Sequence, residues 1–308
     1  MKSVKQSILD RGLSSNASIL IPETNDSRVS KAIEELKTIG FNIKNVKEYL
    51  DNYDEYLEML SKLKFCKNWP YDEIKNYLDD PINYGLIAVA NGDADGLVAG
   101  ATISTSDMIR KTIRIIGVDS YSTCISSIFF MISNNDKNCF TYSDCGVIPE
   151  PDSKQLVEIA YNASNFHRLL SENDPKIAFL SFSTKGSAEH YRVQRIQEAV
   201  KLFGKKHHDI LHDGELQFDA AISAEVSKLK DPSSKLNGKA NTFIFPNLDA
   251  GNIAYKITER LGGYTALGPL LQGLSKPVHD LSRGCSTEDI VLIAAITALQ
   301  KESEIASI

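Results

Sequence analysis

Ser18-Ile19-Leu20-Ile21 is a short apolar run. Thr24-Asn25-Asp26-Ser27 follows it, and Val29, Ile33, Leu36 and Ile39 then recur at helical spacing as far as Gly40. An apolar run of this length bounded by polar turn residues reads as a buried strand. The hydroxyl, amide and carboxylate side chains behind it are N-cap candidates, and a glycine after the last periodic position is a C-cap. Strand, cap, helix and glycine in that order form half of a parallel β–α–β crossover. Working outward, residues 41–46, 84–90, 113–116, 127–131, 138–142, 176–182 and 242–245 read as further strands. Residues 153–170, 187–203, 250–261 and 288–300 read as helices, and Asn91-Gly92-Asp93 turns the chain into a helix that runs to about Arg110. Such alternation implies an α/β fold, with parallel-rich sheets covered by helices. Ligands then bind beyond the carboxyl ends of the strands.

A chain of 308 residues is long enough for about two domains. Pro149 and Pro151 interrupt regular structure and mark a boundary near 145–152. Apolar residues make up 42% and charged residues 24%, as in ordinary globular proteins. The 34 basic and 40 acidic side chains give a net charge of −6, which argues against nucleic acid or an anionic membrane as the main partner. A small anion needs only a few local cations and stays open. Cys66, Cys124, Cys139, Cys145 and Cys285 are scattered, without the clustering that a zinc site or a disulfide framework needs. A reducing cytoplasm suits them. The first residues carry charges throughout and lack a signal-peptide core, and the longest apolar run, 290–299, is about half a membrane span.

Polar residues crowd Lys276-Pro277-Val278-His279-Asp280-Leu281-Ser282-Arg283-Gly284-Cys285-Ser286-Thr287-Glu288-Asp289, just ahead of an apolar helix. Ser286 and Asp289 have capping-box spacing. A phosphate site is compatible with that cap: a helix N-terminus presents unpaired N–H groups, Arg283 offers a bidentate fork, Ser282 a hydroxyl and Asp289 a proton acceptor. Ser181-Phe182-Ser183-Thr184-Lys185-Gly186-Ser187 is hydroxyl-rich and opens a helix. It suits an anion or a plain cap, and it lacks the P-loop glycine spacing. The small residues of Gly92-Asp93-Ala94-Asp95-Gly96-Leu97-Val98-Ala99-Gly100-Ala101 permit close approach of a helix or a ligand, and Ser104, Thr105 and Arg110 follow. His208 and His212 are four apart but lack the glutamate of a zinc helix. Ser282, His279 and Asp280 are too close in sequence for a hydrolase triad, and no nucleophile elbow is present.

These stretches, with Ile19 to Arg28, Asp213 to Ala221, Asn241 to Asn252 and Gly268 to Leu274, occur in an order that resembles the phosphate acetyl/butyryltransferase family over nearly the whole chain. The resemblance implies two α/β domains with an interdomain cleft, similar to isocitrate and isopropylmalate dehydrogenases but without their redox chemistry. One domain would comprise residues 1–145 plus 286–308, completed by the last helix, and the other would be inserted at 146–285. It implies reversible acetyl transfer between acetyl phosphate and coenzyme A, commonly by a homodimer. Coenzyme A, acetyl-CoA, acetyl phosphate and phosphate would be substrates, with no tightly bound cofactor and no metal. Carried over residue by residue, the catalytic group falls on Ser282, Arg283 and Asp289. Coenzyme A binding falls on Arg110, Lys64 and Arg260, and the acyl phosphate on Arg283, Ser282, Ser104 and Thr105. Lys64 stands where the family usually has arginine; it keeps the charge and lacks the fork. His279 stands where asparagine is usual, either packed or as a titratable neighbour of the site. A butyryl-transferring enzyme and a non-catalytic acyl-CoA sensor, similar to the C-terminal part of some malic enzymes, are the alternatives.

Overall fold

The computed structural model describes residues 3–305, with side chains to 301. Along the chain come α1 (Val4–Ser14), β1 (Ser18–Leu20), α2 (Ser27–Ile39), β2 (Asn42–Lys44), α3 (Tyr53–Lys62), α4 (Tyr71–Leu78), α5 (Pro81–Asn91), β3 (Gly96–Ala99) and α6 (Thr105–Ile115). Then follow β4 (Ser126–Ile132), β5 (Cys139–Ser143), α7 (Ser153–Ser171), β6 (Lys176–Leu180), α8 (Tyr191–Lys206) and β7 (Leu211–Leu216). The short helices α9 (Phe218–Ile222) and α10 (Ala224–Lys230) lead to β8 (Thr242–Ile244), α11 (Leu248–Arg260) and β9 (Thr265–Gln272). The chain closes with β10 (Val278–Asp280) and α12 (Thr287–Ile305).

Two compact units result: 4–121 with 274–305, and 122–273. The expected boundaries therefore move. Residues 126–143 belong with the second unit because β4 and β5 pair within its sheet, and β10 belongs with the first because it pairs with β3. The extreme ends of the expected first domain, 1–2 and 306–308, lie outside the described residues. The first unit holds an all-parallel sheet in the order β10-β3-β1-β2. The second holds six strands in the order β7-β6-β8-β5-β4-β9, in which β4 runs antiparallel to both neighbours.

The opening motif folds as its residues dictate. Asp26 caps α2 by accepting from the N–H groups of Arg28 and Val29, and Gly40 ends it at φ +110°, a left-handed conformation that favours glycine. Residues 84–90 are helix, not strand. Asp80 caps α5, Pro81 fills its first turn, Gly92 closes it, and every side chain from Ile82 to Val89 is buried. A segment buried all round shows no polar face, so its period cannot separate helix from strand. The expected strand 113–116 is the last turn of α6 and the residue capping it. Conversely, Gly96–Ala99, expected as helix, is the strand between β10 and β1, buried at every position. A Cβ on Gly96 would approach Pro277 O to 2.9 Å, so the glycine permits this packing.

The final helix α12 is buried throughout 290–299 and packs on α1, α2 and the four-stranded sheet. Gly12 of α1 lies so close that a Cβ there would stand 2.6 Å from Ala295 O. This packing anchors the body of α12 and so fixes its N-terminus beside the end of β10. Among the described residues no helix is long and apolar enough to cross a membrane.

Candidate active site

In the first unit, loops 21–26, 100–104 and 281–286 leave the carboxyl ends of the neighbouring parallel strands β1, β3 and β10. Leu281 N–H donates to Ala99 O at 2.8 Å, extending the ladder by one residue, and the chain then turns. Within the turn Cys285 N–H donates to Ser282 O (2.9 Å) and Gly284 N–H to Ser282 Oγ (3.3 Å). Cys285 is buried under the turn, while Ser282 and Arg283 face solvent. The Arg283 guanidinium has no ion pair among the described residues.

The capping box at the head of α12 is present. Ser286 N–H and Oγ–H each donate to Asp289 Oδ2 at 2.8 Å, and Asp289 N–H donates back to Ser286 Oγ at 3.1 Å. The cap occupies one carboxylate oxygen. Among the described residues Oδ1 has no hydrogen bond, so capping and proton acceptance are compatible in one side chain. Ser282, Arg283 and Asp289 thus sit on one continuous turn into a helix.

Ser104 caps α6; its hydroxyl donates to Asp107 Oδ2 (2.7 Å) and accepts from Asp107 N–H (3.2 Å). Arg110, five residues beyond Thr105, is exposed and pairs with Asp107 at 2.7 Å. Lys64 begins a short 3-10 turn and is exposed; Phe65 beside it is anchored against Trp69 and Tyr77, with ring centroids 5.4 and 5.6 Å away. Arg260 belongs to the second unit, at the end of α11, where it is exposed and 3.4 Å from Glu259.

Two loops are filled from within: the small-residue loop after β3, which permitted close approach of a ligand, and the 181–187 loop, which suited an anion. Glu23 Oε2 accepts from Gly100 N–H (2.6 Å) and Ala101 N–H (2.9 Å), and Oε1 from Thr102 N–H (2.8 Å) and the Thr102 hydroxyl. In the second unit Glu215 Oε1 accepts from Gly186 N–H (2.7 Å) and Ser183 Oγ (3.0 Å), while His190, and not the 181–187 loop, caps α8. A buried carboxylate supplied by the chain takes the donors that a phosphate would need. His208 and His212 do not share a helix face, because α8 ends at Lys206 and His212 stands on β7. His279 is fully buried and bonded to the Gln300 side chain, and burial pushes its pKa down to about 4, so it packs.

Asp280 is a feature that sequence reasoning left without a role. It is fully buried, and among the described residues neither carboxylate oxygen finds a well-formed hydrogen bond. It lies against Gly100, where a Cβ would collide with Oδ1. Burial pushes its pKa from 3.8 up to about 7; the Thr105 hydroxyl opposes that rise and the Glu23 carboxylate adds to it. Between those values the folded chain holds a proton that the unfolded chain releases, so stability falls as pH rises through that window. Burial also raises Asp144 in the second unit, adding a contribution of the same sign. Asp280→Asn removes one titration. Melting curves across the window should therefore lose less stability with rising pH in the variant than in the parent; an equal loss shows that Asp280 does not titrate there.

The family model described as phosphate acetyl/butaryl transferase matches residues 1–298. A phosphate acetyltransferase of Acetivibrio thermocellus is 39% identical, over 97% of this chain and 98% of its own. Among solved structures, a phosphotransacetylase from Streptococcus pyogenes superposes with a TM-score of 0.88 at 37% identity, covering 97% of this chain and 98% of its own. The EutD phosphotransacetylase from Staphylococcus aureus gives 0.85 at 36%, covering 98% and 100%. The chain belongs to this family of acyltransferases.

Proposed function

We propose that the chain is a phosphate acetyltransferase that moves an acetyl group reversibly between acetyl phosphate and coenzyme A by direct thiolate attack. Arg283 carries the reading: an exposed guanidinium that has no ion pair among the described residues, on a turn that opens on a helix N-terminus and its half-used Asp289 carboxylate. Asp289 Oδ1 takes the thiol proton. A thiol of pKa about 8.5 is only a few per cent ionised at neutral pH, so a base raises the reactive fraction. The sulfur attacks the acetyl carbon, the C–S bond forms, and the C–O bond to phosphate breaks with its electron pair leaving on phosphate. The thiol proton ends on phosphate or solvent. Arg283 holds the phosphoryl oxygens and, with the Ser282 hydroxyl, stabilises the charge that develops on the carbonyl and leaving oxygens. Ser104 and Thr105 border the acyl phosphate, and Lys64, Arg110 and Arg260 provide cations for coenzyme A.

The same reading includes the homodimer, the cytoplasmic setting and the isocitrate/isopropylmalate dehydrogenase-like architecture that the resemblance implies. Thioester absorbance on mixing coenzyme A with acetyl phosphate tests the function. A signal is expected; its absence favours an acyl-CoA sensor, and a faster rate with butyryl phosphate favours the longer acyl chain.

A further inference from the structure

Arg28, in the first turn of α2, has no role in the reading above, yet its guanidinium reaches three loops. Nε and Nη2 form a bidentate pair with Asp26, at 3.0 Å to Oδ1 and 2.7 Å to Oδ2. Nη2 also donates to Ala101 O (3.2 Å), in the loop after β3. Nη1 donates to Arg283 O (2.8 Å) and Cys285 O (3.0 Å), in the turn after β10. An arginine in the first turn of α2 meets the positive end of that helix, which disfavours it. Asp26 offsets the conflict, and hydrogen bonding to Arg28 is the main reason that its carboxyl is held down at about 2. A planar fork with five N–H donors can join backbone carbonyls on two loops while keeping a carboxylate partner; a lysine ammonium cannot span them.

We infer that Arg28 is a positioning residue for acyl phosphate: it fixes the backbone on both sides of Gly284 and so sets where the Arg283 side chain and the Ser282 hydroxyl stand. This rests on the proposed roles of Arg283 and Ser282. Neither carbonyl at 283 or 285 belongs to a helix or strand ladder, and among the described residues the hydrogen bonds that tie this turn to the β1 loop come from the Arg28 side chain. Sub-ångström misplacement of a group that binds the reacting phosphate lowers the rate without removing the group.

The experiment compares Arg28→Lys, Arg28→Ala and Asp26→Asn with the parent in initial-rate assays, varying acetyl phosphate and coenzyme A separately, with melting curves alongside. Arg28→Lys should lower kcat/KM for acetyl phosphate by about tenfold or more while leaving the coenzyme A KM nearly unchanged. Asp26→Asn should move the same parameter less. Free guanidinium ion should restore part of the activity of Arg28→Ala. A purely structural role would lower the melting temperature and the active fraction with both KM values unchanged, and that pattern overturns the inference. If Arg28→Ala does not fold, the lysine and Asp26 variants decide alone. A parent protein that forms no acetyl-CoA overturns the functional reading and this inference with it; an active parent with kinetically silent Arg28 variants overturns the inference alone.

Discussion

Replacing Arg283 with alanine should lower kcat by about 10²- to 10³-fold and weaken acetyl phosphate binding, with little change in melting temperature. The rate estimate follows from what one preorganised donor contributes where charge develops in a dry site. The stability estimate follows from the side chain's setting: it is exposed and has no ion pair among the described residues, so little folding energy is lost with it. Steady-state rates with acetyl phosphate varied, read beside a thermal melt, check both halves. Unchanged kinetics would remove the electrostatic role, and a collapse in melting temperature would show that Arg283 serves the fold instead.

The second large effect concerns Asp289, whose two possible roles can be separated by choice of substitution. Asp289→Asn keeps an amide oxygen to accept from Ser286 N–H and Oγ, so the cap survives and the basic oxygen is lost. Turnover should drop about 10²- to 10⁴-fold, the range for a positioned general base, with the melting temperature nearly unchanged. Asp289→Ala removes the cap as well and should cost about 1 kcal/mol of stability in addition. If the asparagine variant retains parental turnover, Asp289 only caps α12; if it unfolds while its folded fraction works normally, the same conclusion holds.

Residues whose structural reason is local were legible in the sequence. The cap, periodicity and glycine of α2 lie within one stretch, and Ser282, Arg283 and Asp289 lie within eight residues, so one motif carries them together. Segments whose state depends on surroundings were not legible. α5 and β3 are both buried on all sides, and only the tertiary layer decides which is helix and which is strand. β7 was hidden by His212, Asp213 and Gly214, polar or flexible residues that break an apolar run. Glu23 and Arg28 escaped notice because their partners are remote: Glu23 meets the loop that begins 77 residues later, and Arg28 meets Arg283, 255 residues away. Parallel strand order brings these loops together, and spacing in the sequence carries no trace of it. Asp280 was visible as a residue, but its burial became evident only once the strands and loops around it were in place.

Isotope exchange tests the central claim, direct transfer of the acyl group from phosphate oxygen to sulfur, most directly. The protein is incubated with acetyl phosphate and radiolabelled inorganic phosphate, first without coenzyme A and then with it. If sulfur displaces phosphate while both substrates are bound, acetyl phosphate acquires no label until coenzyme A is added, and then acquires it rapidly. Label entering acetyl phosphate without coenzyme A would mean that the acetyl group rests on the protein between steps, which contradicts direct attack.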